Sequence, residues 1–273
     1  MKKNKLISIL VLCILLISCT KRDRHIVILH TNDVHSAIES DTSGVGGAAL
    51  RCVAIQKIRD EEPTVFLFDA GDFYQGTAYF NFFKGKVETE IMNRLGYDAI
   101  NIGNHEFDNG TNALLKQLSK FKGTVLSANY DFAKSDSNRI VKPYTVIERN
   151  GIRLGVFGLG VNPEGLINKD LMQGVIYSNP LPIADKLAAY LKNEKKCDVV
   201  VCLSHLGYRY SDEPNKVCDS IVALKSTNID IIIGGHTHQM IVDKKIKNKE
   251  GREVVISQMG KNGLNLGRID IHL

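Results

Sequence analysis

The chain has 273 residues, of which 44% are hydrophobic and 24% charged, the make-up of an ordinary globular protein that buries a core without disulfide staples. Its net charge of +5 falls to +2 once residues 1–18, with three lysines and no acids, are set aside. No block of like charge is left, which excludes a nucleic-acid polymer as partner.

The N-terminus comes first. Lys2, Lys3 and Lys5 precede the apolar run Leu6 to Ile17, followed by Ser18-Cys19. This is the three-part pattern of a secretory signal, and the run is too short to span a bilayer as a helix. The ending Leu16-Ile17-Ser18-Cys19 resembles the lipobox of bacterial lipoproteins. The resemblance implies a signal peptide over residues 1–18, cleavage before Cys19, a lipid on its sulfur and a short tether over residues 19–24. It also implies export and attachment to a bacterial membrane bilayer, at the periplasmic face or the cell surface. A plain signal peptide or an uncleaved anchor is the alternative. Cys13 leaves with the signal, and Cys52, Cys197, Cys202 and Cys218 stay. No CxxC spacing occurs, which speaks against a cysteine zinc site. Spacing cannot pair the four; Cys202, in the apolar run Val199 to Leu203, is expected as a buried free thiol.

From residue 25 onward strand-like and helix-like segments alternate. A strand is expected at His25–His30, then a glycine-rich turn (Gly44-Val45-Gly46-Gly47) and a helix over Ala48–Arg59. The turn lacks the lysine and spacing of a phosphate-binding loop. Strand Val65–Asp69 precedes the aromatic cluster Phe80, Phe82 and Phe83, more consistent with packing than with base stacking. Helix Val87–Leu95, strand Ala99–Ile102, helix Thr111–Phe121 and strands Thr124–Ser127 and Ile152–Leu159 follow. Pro180 and Pro182 sit just ahead of a helix over Ile183–Lys195, where proline costs least. Strand Asp198–Leu203, helix Pro214–Leu224 and strand Ile229–Ile233 come next. Met240–Lys245, Glu253–Gln258 and Arg268–Leu273 read as a run of antiparallel strands with Gly/Asn turns. This order argues for an α/β sandwich of helices over sheets in one domain, residues 25–273.

Polar clusters lie just past the apolar strands. Asp33 and His35 follow the first, Asp72 the second, Asn104 and His105 the third, His205 the run ending at Leu203, and His236 and His238 the run ending at Ile233. In open α/β sheets ligands bind beyond the carboxyl ends of the strands. Oxygen and imidazole donors without thiolate suit Zn, Mn, Fe or Co better than Ca or Mg. These are too many ligands for one ion; seven of them shared between two ions would fill two sites, and two cations about 3.5–4 Å apart can clamp the attacking and leaving oxygens of an in-line displacement. Asp69 is the rival to Asp72; the Gly71-Asp72 pair favours Asp72, since glycine permits close backbone approach. His25, His30 and His272 are expected as structural groups, and Glu106 as a supporting one.

The strings Asp33-Val34-His35, Gly71-Asp72, Gly103-Asn104-His105-Glu106, Ser204-His205 and Gly235-His236-Thr237-His238 occur in order, and together they resemble the calcineurin-like metallophosphoesterases. Gly103-Asn104-His105-Glu106-Phe107-Asp108-Asn109 and Leu29-His30-Thr31-Asn32-Asp33 are similar to the 5′-nucleotidase/UDP-sugar hydrolase branch. The resemblance implies a four-layer α-β-β-α sandwich with two mixed sheets and a centre of two divalent metal ions. Asp33, His35, Asp72 and His238 would hold one ion, and Asp72, Asn104, His205 and His236 the other, with Asp72 bridging. His105 would face the phosphate, paired with Asp108, which raises its proton affinity. The implied activity is hydrolysis of phosphoesters, foremost dephosphorylation of nucleotides. Full-length members of that branch carry a second, C-terminal domain for the nucleobase, so a separately encoded specificity domain is one expected partner. The alternatives are a general or cyclic-nucleotide phosphoesterase acting alone, and a lipid-anchored binding or scaffold subunit with weak catalysis.

Overall fold

Ile26, Val27, Ile28 and Leu29 are fully buried in succession along strand β1 (His25–Thr31). A strand apolar on both sides must be covered on both faces, and that requirement sets the architecture. The computed structural model describes residues 24–132 and 140–273. The expected signal peptide (1–18) and the lipid attachment at Cys19 lie outside the described residues.

After β1 come α1 (Gly47–Glu61), β2 (Val65–Asp69), α2 (Ala78–Phe83), α3 (Lys86–Leu95), β3 (Ala99–Asn101), α4 (Thr111–Leu118) and β4 (Thr124–Leu126). Short strands β5 (Tyr130–Asp131) and β6 (Val141–Lys142) lead to β7 (Tyr144–Arg149) and β8 (Ile152–Gly160). β9 (Ile176–Tyr177), α5 (Pro180–Asn193), β10 (Val199–His205), α6 (Asp219–Lys225) and β11 (Ile231–Ile233) follow, then β12 (Met240–Lys247), β13 (Glu253–Met259) and β14 (Gly267–His272). Among the described residues no helix is long and apolar enough to cross a membrane.

Two six-stranded sheets form, in the orders β14-β1-β2-β3-β4-β6 and β12-β13-β11-β10-β8-β7. Both are mixed, with parallel strands inside; β14, β12 and β7 run antiparallel to their neighbours at the edges. Between the sheets Ile26, Ile28, Phe66 and Phe68 meet Leu154, Val156, Val199, Val201 and Ile231. The alternate residues Val27, Leu29 and Leu67 face α1, α3 and α4 through Ile55, Met92, Leu95 and Leu118. On the other side Phe157, Val200 and Cys202 face α5 and α6 through Ala184, Ala188, Leu191 and Val222. The result is the expected α-β-β-α order of layers. Full burial of an aliphatic or aromatic side chain of this kind contributes about 1.5–3 kcal/mol.

The C-terminal strands depart from the sequence reading. β12 and β13 form the expected antiparallel pair, but β13 runs parallel to β11, and β14 leaves for the other sheet to pair with β1. Ile269 and Ile271 of β14 join the core between the sheets, so the crossing covers the free edge of a hydrophobic strand. The helix expected over Pro214–Leu224 begins only at Asp219. Cys218 is extended there, and the amides of Asp219 and Ser220 donate to Gly207 and Tyr208 carbonyls instead. Sequence periodicity missed α2 and β7.

Cys52, Cys197, Cys202 and Cys218 are all free; Cys52 is exposed and the other three are buried, so the thiol reading of Cys202 holds. His30 is fully buried in the core, where desolvation lowers its pKa to about 4. His25 sits between Glu62 and Asp270 and stacks on His272.

Candidate metal centre

All the loops that carry the polar clusters leave the carboxyl ends of parallel strands. The ladder between β1 and β2 continues into their loops: Asp33 N–H donates to Gly71 O and His35 N–H to Asp72 O, both at 2.9 Å. Asp33, His35, Asp72, His236 and His238 all have φ between 48° and 73°. Left-handed backbone at non-glycine residues is uncommon, and it persists where surrounding structure over-determines it, typically at functional sites. Gly103 lets the third loop approach: a Cβ there would lie 2.3 Å from Asp72 Oδ1. A Cβ on Gly71 would sit 2.7 Å from the Gly103 nitrogen, so this glycine permits loop-to-loop contact.

Two groups of donor atoms result. Asp33, His35 and His238 form one, and Asp72, His205 and His236 the other, each with its donors within 4.8 Å of one another. In the first, His35 Nε2 and His238 Nε2 are 3.0 Å apart, and His238 Nε2 lies 3.4 Å from Asp33 Oδ1. In the second, His205 Nε2 is 2.9 Å from Asp72 Oδ2, and His236 Nδ1 is 2.9 Å from Asn104 Oδ1. Each group draws on both sheets: Asp33, His35, Asp72 and Asn104 follow strands of one, while His205, His236 and His238 belong to the other. Asp72 falls in the second group, and its charge also acts on His35 of the first.

The donor set fits divalent cations. His205 Nδ1 bonds the Ala70 carbonyl at 3.0 Å, which aims the fully buried Nε2 into the second group, at Asp72 Oδ2. Backbone support of one ring nitrogen is how metal-binding imidazoles are oriented. Electrostatics agree. Burial opposes charge on His205, yet Asp72 and Asp33 hold its pKa at about 10, while burial and the neighbouring His205 push His236 down to about 4. Buried carboxylates this close to one another call for positive charge.

His105 stands at the rim. Its Nδ1 is 2.9 Å from Asp108 Oδ2, and that hydrogen bond raises its pKa to about 9. The ring meets His35 edge-on with centroids 5.5 Å apart, and the His105 amide donates to Asp72 Oδ1. All nine residues singled out from the sequence thus come together. The rival Asp69 lies outside both groups: it accepts from Thr31 Oγ1 and the Gly71 amide and holds the turn. Glu106 accepts from the amides of Asp72, Gly103 and Tyr74, a supporting role as expected.

Sequence reasoning overlooked two residues. Asn32 donates to Asp33 Oδ2 at 2.6 Å and to Gly260 O, and accepts from the Met259 amide. Buried Asp219 accepts from Ser204 Oγ behind His205. Asn32 adjoins Asp33 in the chain and could have been found; Asp219 carries no local signal. Of the aromatic cluster, Phe80 is buried while Phe82 and Phe83 are exposed.

Residues 26–240 match the family model of the calcineurin-like phosphoesterases. The snake venom 5′-nucleotidase of Gloydius brevicauda is 32% identical over 281 residues, 90% of this chain and 45% of that protein. The 5′-nucleotidase of Rattus norvegicus is 32% identical over 92% of this chain and 47% of its own length. Among solved structures, the 5′-nucleotidase precursor of Thermus thermophilus superposes with a TM-score of 0.81 at 30% identity, covering 90% of this chain and 51% of that one. The chain therefore spans about half the length of the relatives it matches.

Proposed function

Because the chain belongs to the calcineurin-like phosphoesterase family, we propose that it is a two-metal phosphoester hydrolase that dephosphorylates nucleotides in the manner of a 5′-nucleotidase. One observation carries this reading: two groups of oxygen and imidazole donors share a single rim and are flanked by a His–Asp pair. Relatives named as 5′-nucleotidases support the nucleotide substrate and weigh against a scaffold role.

In this mechanism Asp33, His35 and His238 would hold one divalent ion, Asn104, His205 and His236 would hold the second, and Asp72 would serve the second and help to neutralise the first. Bound cations of the Zn, Mn, Fe or Co type supply Lewis-acid activation of water and neutralise charge on the phosphoryl oxygens. His105, kept protonated by Asp108, donates to the leaving oxygen and stabilises the charge that develops there. Asn32 and Ala70 O fix the orientations of Asp33 and His205. Glu106 ties the Asp72 and Gly103 loops together, so that the groups enter the reaction in place.

The test is hydrolysis of AMP, UDP-glucose, a 2′,3′-cyclic nucleotide and an aryl phosphate by the chain loaded with each metal in turn. Turnover of AMP above the others is expected; no turnover of any ester with any metal overturns the reading. From the sequence pattern at residues 1–19 we further infer export and lipid anchoring at Cys19. Incorporation of labelled palmitate, lost in Cys19→Ala, checks this.

A further inference from the structure

The loop that carries the first metal group is held from behind. Asp33, His35 and Ser36 have φ of 49°, 48° and 54°, a conformation that non-glycine residues keep only where their surroundings impose it. Ser36, buried next to His35 in the chain, takes up much of that hold. Its hydroxyl donates to Glu88 Oε1 of α3 at 2.5 Å, and its carbonyl accepts from Thr77 Oγ1 at 2.9 Å. From α1, Arg51 Nη2 donates to Ala37 O at 3.2 Å and Nη1 to Gly263 O at 3.4 Å. The amide of Asn262, beside Gly263, donates to Asp33 O at 2.7 Å. Two side chains of opposite charge, from two helices, therefore grip the same loop.

Glu88 and Arg51 are only 4% and 6% exposed. Among the described residues, Glu88 Oε2 and Arg51 Nε are buried atoms without a hydrogen-bond partner. Both side chains line one cavity of about 20 Å³, walled also by Ser36, Phe73, Met92 and Leu95. A water needs about 10–15 Å³ and at least two polar partners, so this space fits one. There it accepts from Arg51 Nε and donates to Glu88 Oε2. Buried opposite charges are costly when separate and tolerated when hydrogen bonds join them. Resting on the two-metal reading above, we propose that Arg51 and Glu88 are positioning residues, joined through one buried water, that fix the His35 loop in the shape the first metal group requires. They act through Ser36 and Ala37 rather than on the donors themselves.

The experiment uses the full chain with Glu88→Gln, which keeps an acceptor for Ser36 and removes the charge, with Arg51→Met, and with both changes together. Calorimetric metal titration reads the first group in a His236→Ala background and the second in a His238→Ala background. Either single change is expected to raise Kd at the first group by about 10–100-fold, the usual cost of losing a group that orients a ligand, and to leave the second group unchanged. The double variant restores charge balance, so its loss should fall well short of the product of the single losses. No change at the first group, equal losses at both groups, or a double variant whose loss equals that product overturns the proposal. A high-resolution crystal structure of the native chain should show a water within hydrogen-bonding distance of Glu88 Oε2 and Arg51 Nε. An empty cavity, or direct contact between the two side chains, overturns the proposal even where the variants fail to fold. Turnover enters none of these readings. A chain that binds metal yet hydrolyses no ester loses the hydrolase reading and keeps this one; a chain that takes up no ion overturns both.

Discussion

The side-chain amide of Asn32 donates to Asp33 Oδ2 at 2.6 Å, and the same side chain bonds Gly260 O and the Met259 amide, so one buried asparagine fixes a candidate ligand to the loop after β13. Partners of this kind fix ligand orientation, and their loss costs about 10–100-fold in metal affinity. Asn32→Ala is therefore expected to weaken binding at the Asp33 group while leaving the second group loaded. Calorimetric metal titration checks it, and unchanged affinity at both sites would remove Asn32 from the design.

Asp72 lies 2.9 Å from His205 Nε2 and acts electrostatically on His35. If it is shared between two cations, Asp72→Asn lowers occupancy of both. Metal content of the purified variant is the readout; two ions retained per chain contradict the sharing.

His105→Ala keeps every donor of both groups. Metal content should be unchanged and kcat should fall by roughly 10²–10⁴-fold, the usual worth of a general acid. Asp108→Asn is expected to fall in the same direction by less, since the ring stays while its charge support weakens. A native kcat in His105→Ala would exclude the proton-donor role.

Each candidate metal group takes donors from both sheets, so bound ions would pin the two sheets together at one end. A ligand that binds only the folded state stabilises it by about 2.7 kcal/mol at a hundredfold excess over Kd. Chelation should therefore lower Tm, and restoring Mn²⁺ or Zn²⁺ should recover it. A Tm indifferent to chelator in a protein shown to lose its metal would mean that the centre forms without help from ions.

Asp270 carries the acid dependence at the opposite end of β1. Hydrogen bonds from Arg268, then from His25, outweigh burial and hold its pKa at about 2 against an ordinary 3.8. A depressed folded-state pKa means stabilisation present above pH 3.8 and lost as pH falls through about 2. The pair is largely solvent-exposed, so the contribution is small. The Tm gap between native protein and Asp270→Asn should narrow as pH falls below about 4; a gap that widens there would refute the assignment.

Much of this protein is written locally. Runs such as Ile26–Leu29 and Val199–Leu203 are apolar on both faces, and that alone forces layers on each side. Asp33, His35, Asp72, Asn104, His105, His205, His236 and His238 stand out because each follows such a run, where a parallel strand must release its chain. The tertiary structure decided what no short window contains. It sent β14 to β1, because the edge of a hydrophobic strand needs a partner and alternation along β14 says nothing of which. It shortened the helix before Lys225, because the Gly207 and Tyr208 carbonyls outcompeted the first turn. It divided the donors into two groups that each span both sheets, since pairing across a gap depends on where the layers meet rather than on spacing along the chain. The cavity behind the His35 loop arises for the same reason: Ser36, Arg51 and Glu88 lie apart in sequence, and only packing makes them walls of one space.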